Sequence, residues 1–418
     1  MKEELLYYVW KFGLTNPNLQ TTSNESLQIV QSGTQNYLSG PDFKNSKIRF
    51  GEKTWVGNVE IHVKSSDWIK HGHSNDRAYD SIILHVVYEN DVELEEHVFR
   101  KVPTLELKGF IDSDFIDRYN SFKSQRGWIT CESQINEVDS FHKANWLERL
   151  KIERIERKTK DLKNTLTSFN GDWERTFLIW FFRGYGFKFN SEPMEWLAKK
   201  LSLNMLVNSS NIEALLLGLA GFLPENSNDF YVNQLIKNFE FEKIKWKLEP
   251  MEKALWKTGK VRPPNQPVIR IVQLATLLKK CKGRVWTSIM EMEDIKDLKN
   301  LFQSPANSFW ETHYSFSHPG KKHSSLIGNS SFDLIMINSI IPFLFVYGKV
   351  QDKPELCLRA LNYLEKLKTE KNSIIENWKK IGMKSTSAGD SQSLLELYNE
   401  YCSAKKCLIC GIGNKLLK

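Results

Sequence analysis

Cysteine is scarce in this chain: six in 418 residues. So few thiols in so long a sequence exclude a disulfide scaffold. Long hydrophobic runs are missing as well. The most apolar segment, 332–347, is interrupted by Asp333, Asn338 and Pro342 and is shorter than a bilayer requires, so it reads as a buried helix and not as a membrane span. The N-terminus, Met1-Lys2-Glu3-Glu4-Leu5, carries acids where a secretory signal carries positive charge, and no long apolar core follows. Both features point to the cytoplasm and away from membranes. No repeat of fixed period runs through the chain, and no serine sits in a nucleophile elbow. Charge of one sign is not concentrated either. The 58 Lys and Arg are mixed among 50 Asp and Glu, for a net charge of +8 without a long basic block. That balance fits a mildly basic soluble protein, or one drawn to a polyanion such as nucleic acid.

The apolar fraction of 41% and aromatic fraction of 12% are those of a globular chain, long enough for two or more cores. The pattern divides it. Residues 3–14 read as an amphipathic helix, followed by strands at 27–30, 47–50 and 55–64. A loop or helical stretch covers 66–79, a nearly continuous apolar strand spans 82–88, and 98–107 adds strand material. Beyond it alternation disappears. Apolar residues recur at helical spacing from Trp146 onward, with Gly, Pro and Asn clusters at 262–267 and 304–307 as loops. The expected fold is α+β, with a mixed α/β sheet domain over 1–130 and a large all-helical domain over 131–418.

The chemistry-bearing residues crowd into 40–88. Val59, Ile61 and Val63 alternate with Glu60, His62 and Lys64, so one strand face is apolar and the other chemical. Asp42 follows Gly40-Pro41 at the entry to the preceding strand, and Glu60 comes 18 residues later. If the two strands form a hairpin, both carboxylates meet at one end of it. Two carboxylates with waters suit the oxygen shell of Mg²⁺ or Mn²⁺, and such an ion can activate water against a phosphodiester. The alternative is a solvated sheet face. A second constellation, His71, His73 and Asp76 with His62 and His85, has the residue types of a zinc, manganese or iron site, or of a substrate-binding loop beside Glu60. A third is Cys402-x4-Cys407-x2-Cys410, three thiols in nine residues. With Cys131 as fourth ligand they would hold zinc or an iron–sulfur cluster; otherwise they are reduced thiols at a helix end. Cys281 and Cys357 lie on apolar helix faces and read as core.

A helix, strands, Pro41-Asp42 and then Glu60 on the next strand resemble the PD-(D/E)xK nuclease superfamily over roughly the first 110 residues. The resemblance implies a restriction-endonuclease-like sheet, metal held by Asp42 and Glu60, and a nucleic acid substrate. The superfamily's lysine would fall at position 62, which is histidine, so His62 or Lys64 would have to serve. Some of these nucleases hold an iron–sulfur cluster with one upstream and three C-terminal cysteines, although the spacing here differs. The stretches Gly40-Pro41-Asp42-Phe43, Gly57-Asn58-Val59-Glu60-Ile61-His62, Trp146-Leu147-Glu148-Arg149-Leu150, Arg262-Pro263-Pro264-Asn265 and the terminal cysteines also resemble an uncharacterised bacterial family of unknown function. Three readings follow: a metal-dependent nuclease, a non-catalytic nucleic-acid-binding or assembly protein on a degenerate nuclease core, and a zinc hydrolase using His71, His73 and Asp76.

Overall fold

The computed structural model describes residues 1–94, 102–111, 113–317 and 319–417. It divides into two compact units, Met1–Trp146 with Tyr398–Lys418, and Leu147–Leu397. The boundary expected at 130/131 therefore falls later, and the chain's last residues return to the first unit. Helix Ser140–Lys158 begins nine residues after the expected junction, and Trp146 on it packs edge-on against Tyr401.

The first unit opens with helix α1 (Glu3–Phe12), whose Leu5, Leu6, Val9 and Trp10 are buried and which ends on Gly13 in the left-handed region. Six strands follow one another in order across a sheet: β1 (Leu19–Gln20), β2 (Ser26–Gln31), β4 (Phe43–Phe50), β5 (Lys53–Lys64), β6 (Ile82–Glu89) and β7 (Thr104–Glu106). A short β3 (Thr34–Gln35) also pairs with β4. The pairs from β1 to β5 are antiparallel, whereas β5–β6 and β6–β7 are parallel. Thr22 N–H donates to Thr104 O at 2.8 Å, so the two edges approach and the sheet curls nearly into a barrel. The 98–107 expectation survives as β7; its residues 98–101 lie outside those described.

Strand β5 departs from the expected one-sided pattern. Val59 and Ile61 are buried, but so are Glu60 and His62 on the opposite face. The loop after β5 explains this. Helix α2 (Asp67–Lys70) and two 3-10 turns, His73–Asn75 and Arg77–Tyr79, fold back over that face and place Trp68 on it. A sheet face carrying acid and imidazole is thereby taken out of water.

The second unit is helical. Among its elements are Trp173–Tyr185, Ile212–Leu219, Pro267–Lys280 and Pro354–Lys366, packed around one core that includes Phe177, Phe181, Leu215, Leu274 and Phe343. The apolar segment is longer than expected: a continuous helix from Asn329 to Val350, 22 residues, long and apolar enough to cross a membrane. Most of its apolar window, 72%, is buried inside the protein, as in a core helix. Its middle, Met336–Ile340, is π-helical just before Pro342. A proline there has no N–H to donate and its ring would strike the carbonyl of Asn338; the wider turn relieves the clash.

Candidate functional site

The pairing of β4 with β5 decides the centre of the site. Phe43 stands opposite Val59, so Asp42 meets Glu60 at the start of the hairpin's inner end. The register shifts between Phe43 and Ser46, where Asn45 takes a positive φ of 57°. A bulge of this kind twists the strand locally and re-aims side chains next to it. Asp42 N–H donates to Glu60 Oε2 (3.1 Å), and Ile61 N–H donates to Asp42 Oδ2 (2.9 Å). One oxygen of each carboxylate is thus held by backbone.

Burial, the Asp42 charge and Glu3 push the Glu60 carboxyl up to about 9, against the pull of the Asp42 amide. Burial also raises Asp42, to about 6, while the Ile61 amide and the Tyr7 hydroxyl oppose it. Helix α1 supplies two members that the sequence reading assigned no role. Tyr7 acts on Asp42, holding its carboxyl down against burial, and Glu3, one turn earlier, raises it. Their four-residue spacing puts both on one helical face, a signal readable beside the apolar stripe.

The imidazoles converge on the same place. Because β5 and β6 are parallel with Glu60 beside His85, His62 Nδ1 lies 2.8 Å from His85 Nε2. His62 Nε2 is 3.2 Å from His71 Nδ1 and 3.6 Å from Glu60 Oε1. His73 Nε2 stands 3.3 Å from Glu60 Oε1, and its ring lies against Tyr79 at 3.9 Å. Ligand atoms of His62, His71 and His73 all fall within 4.8 Å of one another. Burial, then His73 and His71, drive His62 down to about 3; burial, then His62, drive His85 well below the usual range; and burial, then His71, lower His73. These three rings are neutral at pH 7, the state in which imidazole can ligate a Lewis acid.

Two of the expected residues lie outside this cluster. Lys64 Nζ is half-exposed and 3.8 Å from Asp91 Oδ2. Asp76 caps a turn by accepting from Ala78 N–H at 2.9 Å, so its carboxylate is committed to the loop. The four expected cysteines are all in the first unit, where Cys131, Cys407 and Cys410 each act electrostatically on Cys402. Cys281 and Cys357 belong to the helical core.

The basic and aromatic positions of the helical unit scatter. Lys158, Arg183 and Arg262 line one cleft of about 800 Å³ with Lys188 and Asn338. Arg154 and Arg157 instead bind the buried Glu396, and Arg270 lies over Phe187. Trp310 donates to Glu213 and meets Phe309 edge-on at 5.0 Å, His313 stacks on the same Phe309, and Tyr314 stacks on His323; His318 lies outside the described residues.

The donor set fits a cation. His73 Nε2 is buried and makes no hydrogen bond despite the nearby Glu60 oxygen. Two acids with raised pKa values stand beside neutral imidazoles, an arrangement that a positive ion at their centre would relieve. Three nitrogens with carboxylate oxygens suit Mn²⁺, Fe²⁺ or Zn²⁺ better than Mg²⁺, which prefers oxygen alone.

No curated protein and no solved structure matches this chain. A family model described as "Protein of unknown function (DUF2851)" matches residues 3–373, which include every residue of the carboxylate–histidine cluster and stop short of Cys402. The chain belongs to this family, DUF2851.

Proposed function

We propose that Asp42, Glu60, His62, His71 and His73 form the metal centre of a phosphodiesterase acting on nucleic acid. The observation that carries this reading is the meeting of a buried carboxylate, Glu60, and a half-buried one, Asp42, with three imidazole ligand atoms at one hairpin end. Further support comes from the frame around it: a helix, an antiparallel meander, and then a parallel strand reached through a crossover, the arrangement that the resemblance to PD-(D/E)xK nucleases implies. The positive net charge of +8 favours a polyanionic substrate.

In this reading Glu60, His62 and His73 would hold the ion, with Asp42 and His71 as further donors. His85 fixes the His62 tautomer through Nδ1. When bound, the ion would supply polarisation of the phosphate and a water of lowered pKa. His62 occupies the position of the superfamily's lysine; as a neutral ring it adds a ligand in place of a positive charge. That exchange favours Mn²⁺ over Mg²⁺.

The test is cleavage of labelled single- and double-stranded DNA and RNA with Mn²⁺, Mg²⁺ or Zn²⁺, comparing wild type with Glu60→Gln. Cleavage that requires Mn²⁺ and vanishes in the variant is the expected result. Metal bound without cleavage, with nucleic acid retained, would replace the enzyme by a binding module on the same core.

A second reading rests on the three histidines alone, a zinc hydrolase centred on His62, His71 and His73. Asp76 drops out of it, since Ala78 N–H holds its carboxylate. Activity restored by Zn²⁺ toward a small-molecule substrate, with no action on nucleic acid, would favour this version.

A further inference from the structure

The cleft of about 800 Å³ in the helical unit has the size of a small-molecule site. Every residue that lines it belongs to that unit. Four of them are basic, Lys158, Arg183, Lys188 and Arg262, and one, Asp161, is acidic. Lys158 ends helix Ser140–Lys158, Arg183 lies in the last turn of Trp173–Tyr185, Lys188 opens Phe187–Lys199, and Arg262 precedes the turn Pro263–Asn265. Helical packing gathers charge that the sequence spreads over a hundred residues.

That charge is poorly compensated. Lys158 Nζ donates to Asn338 Oδ1 (2.8 Å) and Gln392 Oε1 (2.6 Å), both neutral amides. Glu396 is taken by Arg154 and Arg157. Burial, then Arg154, pull Lys158 down to about 7. Arg183 shares Glu195 with Lys199, at 3.6 Å against 2.7 Å. Lys188 and Arg262 are exposed and form no ion pair among the described residues.

A fifth cation stands behind the wall. Arg270 is 4% exposed. Its guanidinium lies 4.4 Å from the centre of the Phe187 ring and donates to Gln273 Oε1 (2.8 Å), Ser331 Oγ (2.8 Å) and Asn265 Oδ1, all neutral. Its Nε is buried without a hydrogen bond. Phe187, Ser331 and Asn265 line the cleft. A buried cation held by neutral partners is costly, and an anion in the cleft would offset that cost.

The backbone around the cleft is unusual as well. Phe187 takes a φ of 49°, a left-handed conformation that a bulky side chain adopts only under constraint. The π-helical turn Met336–Ile340 contributes Asn338 and Ser339 to the lining. Ser339 Oγ is buried without a hydrogen bond, and Gly184 packs so close that a Cβ there would come within 1.8 Å of it. Orphaned polar groups and π turns recur at binding sites. Two ring faces complete the lining: Trp180 is half-buried, and Phe189 is 51% exposed.

We propose that this cleft binds a nucleoside phosphate, with the phosphate among Lys158, Arg183 and Arg262 and the base against Phe189. Lysine and arginine make charge-assisted hydrogen bonds to phosphate oxygens. An aromatic face holds a base by stacking. A free nucleotide and the phosphorylated end of a strand present the same chemistry. The site is independent of the carboxylate–histidine centre and of any nuclease activity.

The test is isothermal titration of the full chain in metal-free buffer. The probes are adenosine monophosphate, inorganic phosphate and an oligonucleotide with a terminal phosphate. The nucleotide should bind more tightly than inorganic phosphate. Arg262→Ala should weaken it by about 10-fold or more, the loss of one hydrogen bond to a charged group. Phe189→Ala should weaken it by a similar factor and leave inorganic phosphate unchanged, a split that general structural damage would not give. Lys237→Ala, an exposed charge that does not line the cleft, should bind as wild type does. Both cleft variants change exposed side chains, and thermal melting checks that they fold. Preference for the oligonucleotide, lost in Arg262→Ala, assigns the site to a strand end, and preference for the mononucleotide assigns it to a free ligand. The proposal is overturned if neither binds more tightly than inorganic phosphate, or if affinities are unchanged in both Arg262→Ala and Phe189→Ala.

Discussion

Asp42 and Glu60 hold each other across the hairpin through backbone: the Asp42 amide donates to Glu60 Oε2 at 3.1 Å, and the amide next to Glu60, that of Ile61, donates to Asp42 Oδ2 at 2.9 Å. The pair is preorganised before any ion arrives. Glu60→Gln keeps the shape and removes the charge. Loss of a partner behind a ligand lowers metal affinity by about 10–100-fold, so loss of the ligand itself should exceed that. Isothermal titration with Mn²⁺ reads the affinity, and cleavage should fall with it.

Metal binding should release a proton. With its pKa raised to about 9, Glu60 is protonated at pH 7 in the metal-free protein, whereas Asp42, raised only to about 6, is mostly ionised. An ion displaces the Glu60 proton, so affinity should climb with pH up to about 9. Titrations in two buffers of different ionisation enthalpy should show about one proton released, and none for Glu60→Gln. The same shift has a stability consequence. Between the ordinary value of 4.5 and about 9 the folded state binds more protons than the unfolded state, so metal-free stability should fall as pH rises through that window. Thermal melts at several pH values should show a shallower decline for Glu60→Gln.

His85 is fully buried, and its Nε2 lies 2.8 Å from Nδ1 of His62, a ligand of the proposed metal centre. It is a positioning residue. His85→Phe should weaken Mn²⁺ binding by about 10–100-fold. His85→Gln, which retains a hydrogen-bonding group, should recover part of the loss, a rescue that simple packing damage would not give.

In the helical unit Glu396 is buried and accepts from Arg154 Nη1 at 3.1 Å and from Arg157 Nη2 at 2.7 Å. Burial pushes its carboxyl up, but the hydrogen bonds and charges of Arg157 and Arg154 prevail and hold it below the ordinary 4.5. Its contribution is therefore present above pH 4.5 and lost as pH falls through the lowered folded value. Glu396→Ala strands Arg154 without its anion and should cost about 3–5 kcal/mol at pH 7. Urea midpoints of the two proteins should draw together in acid.

Gly57 sits inside β5 where a Cβ would come within 2.2 Å of Ile83 Cγ2 and 2.9 Å of Ser81 O. Gly57→Ala has to push β6 aside and should destabilise by about 1–3 kcal/mol. Because β6 carries His85, metal affinity measured on the same variant should drop as well.

Much of this was legible in the residues. The period-two run of Val59, Ile61 and Val63 marked β5, the apolar run at 82–88 marked β6, and Asp42 before one strand with Glu60 on the next was enough to expect their meeting. Helical spacing from Trp146 onward marked the second unit as helical, since each helix buries a stripe whose period the sequence carries.

The rest depended on contacts between residues far apart in the chain. Nothing local to Glu60 or His62 says that Trp68 and the loop behind it will cover them, and that cover is what raises one pKa and lowers the other. Glu3 and Tyr7 look like the polar side of an ordinary surface helix until α1 is laid beside β5. Lys64 and Asp76 had the right side chains, but Asp91 and the Ala78 amide reached them first. The sequence determined which groups were available and on which strand faces they stood, because strand and helix periods are local. Tertiary packing alone decided which of them lost water and which charge each then faced, because burial and Coulomb interaction depend on distance through space.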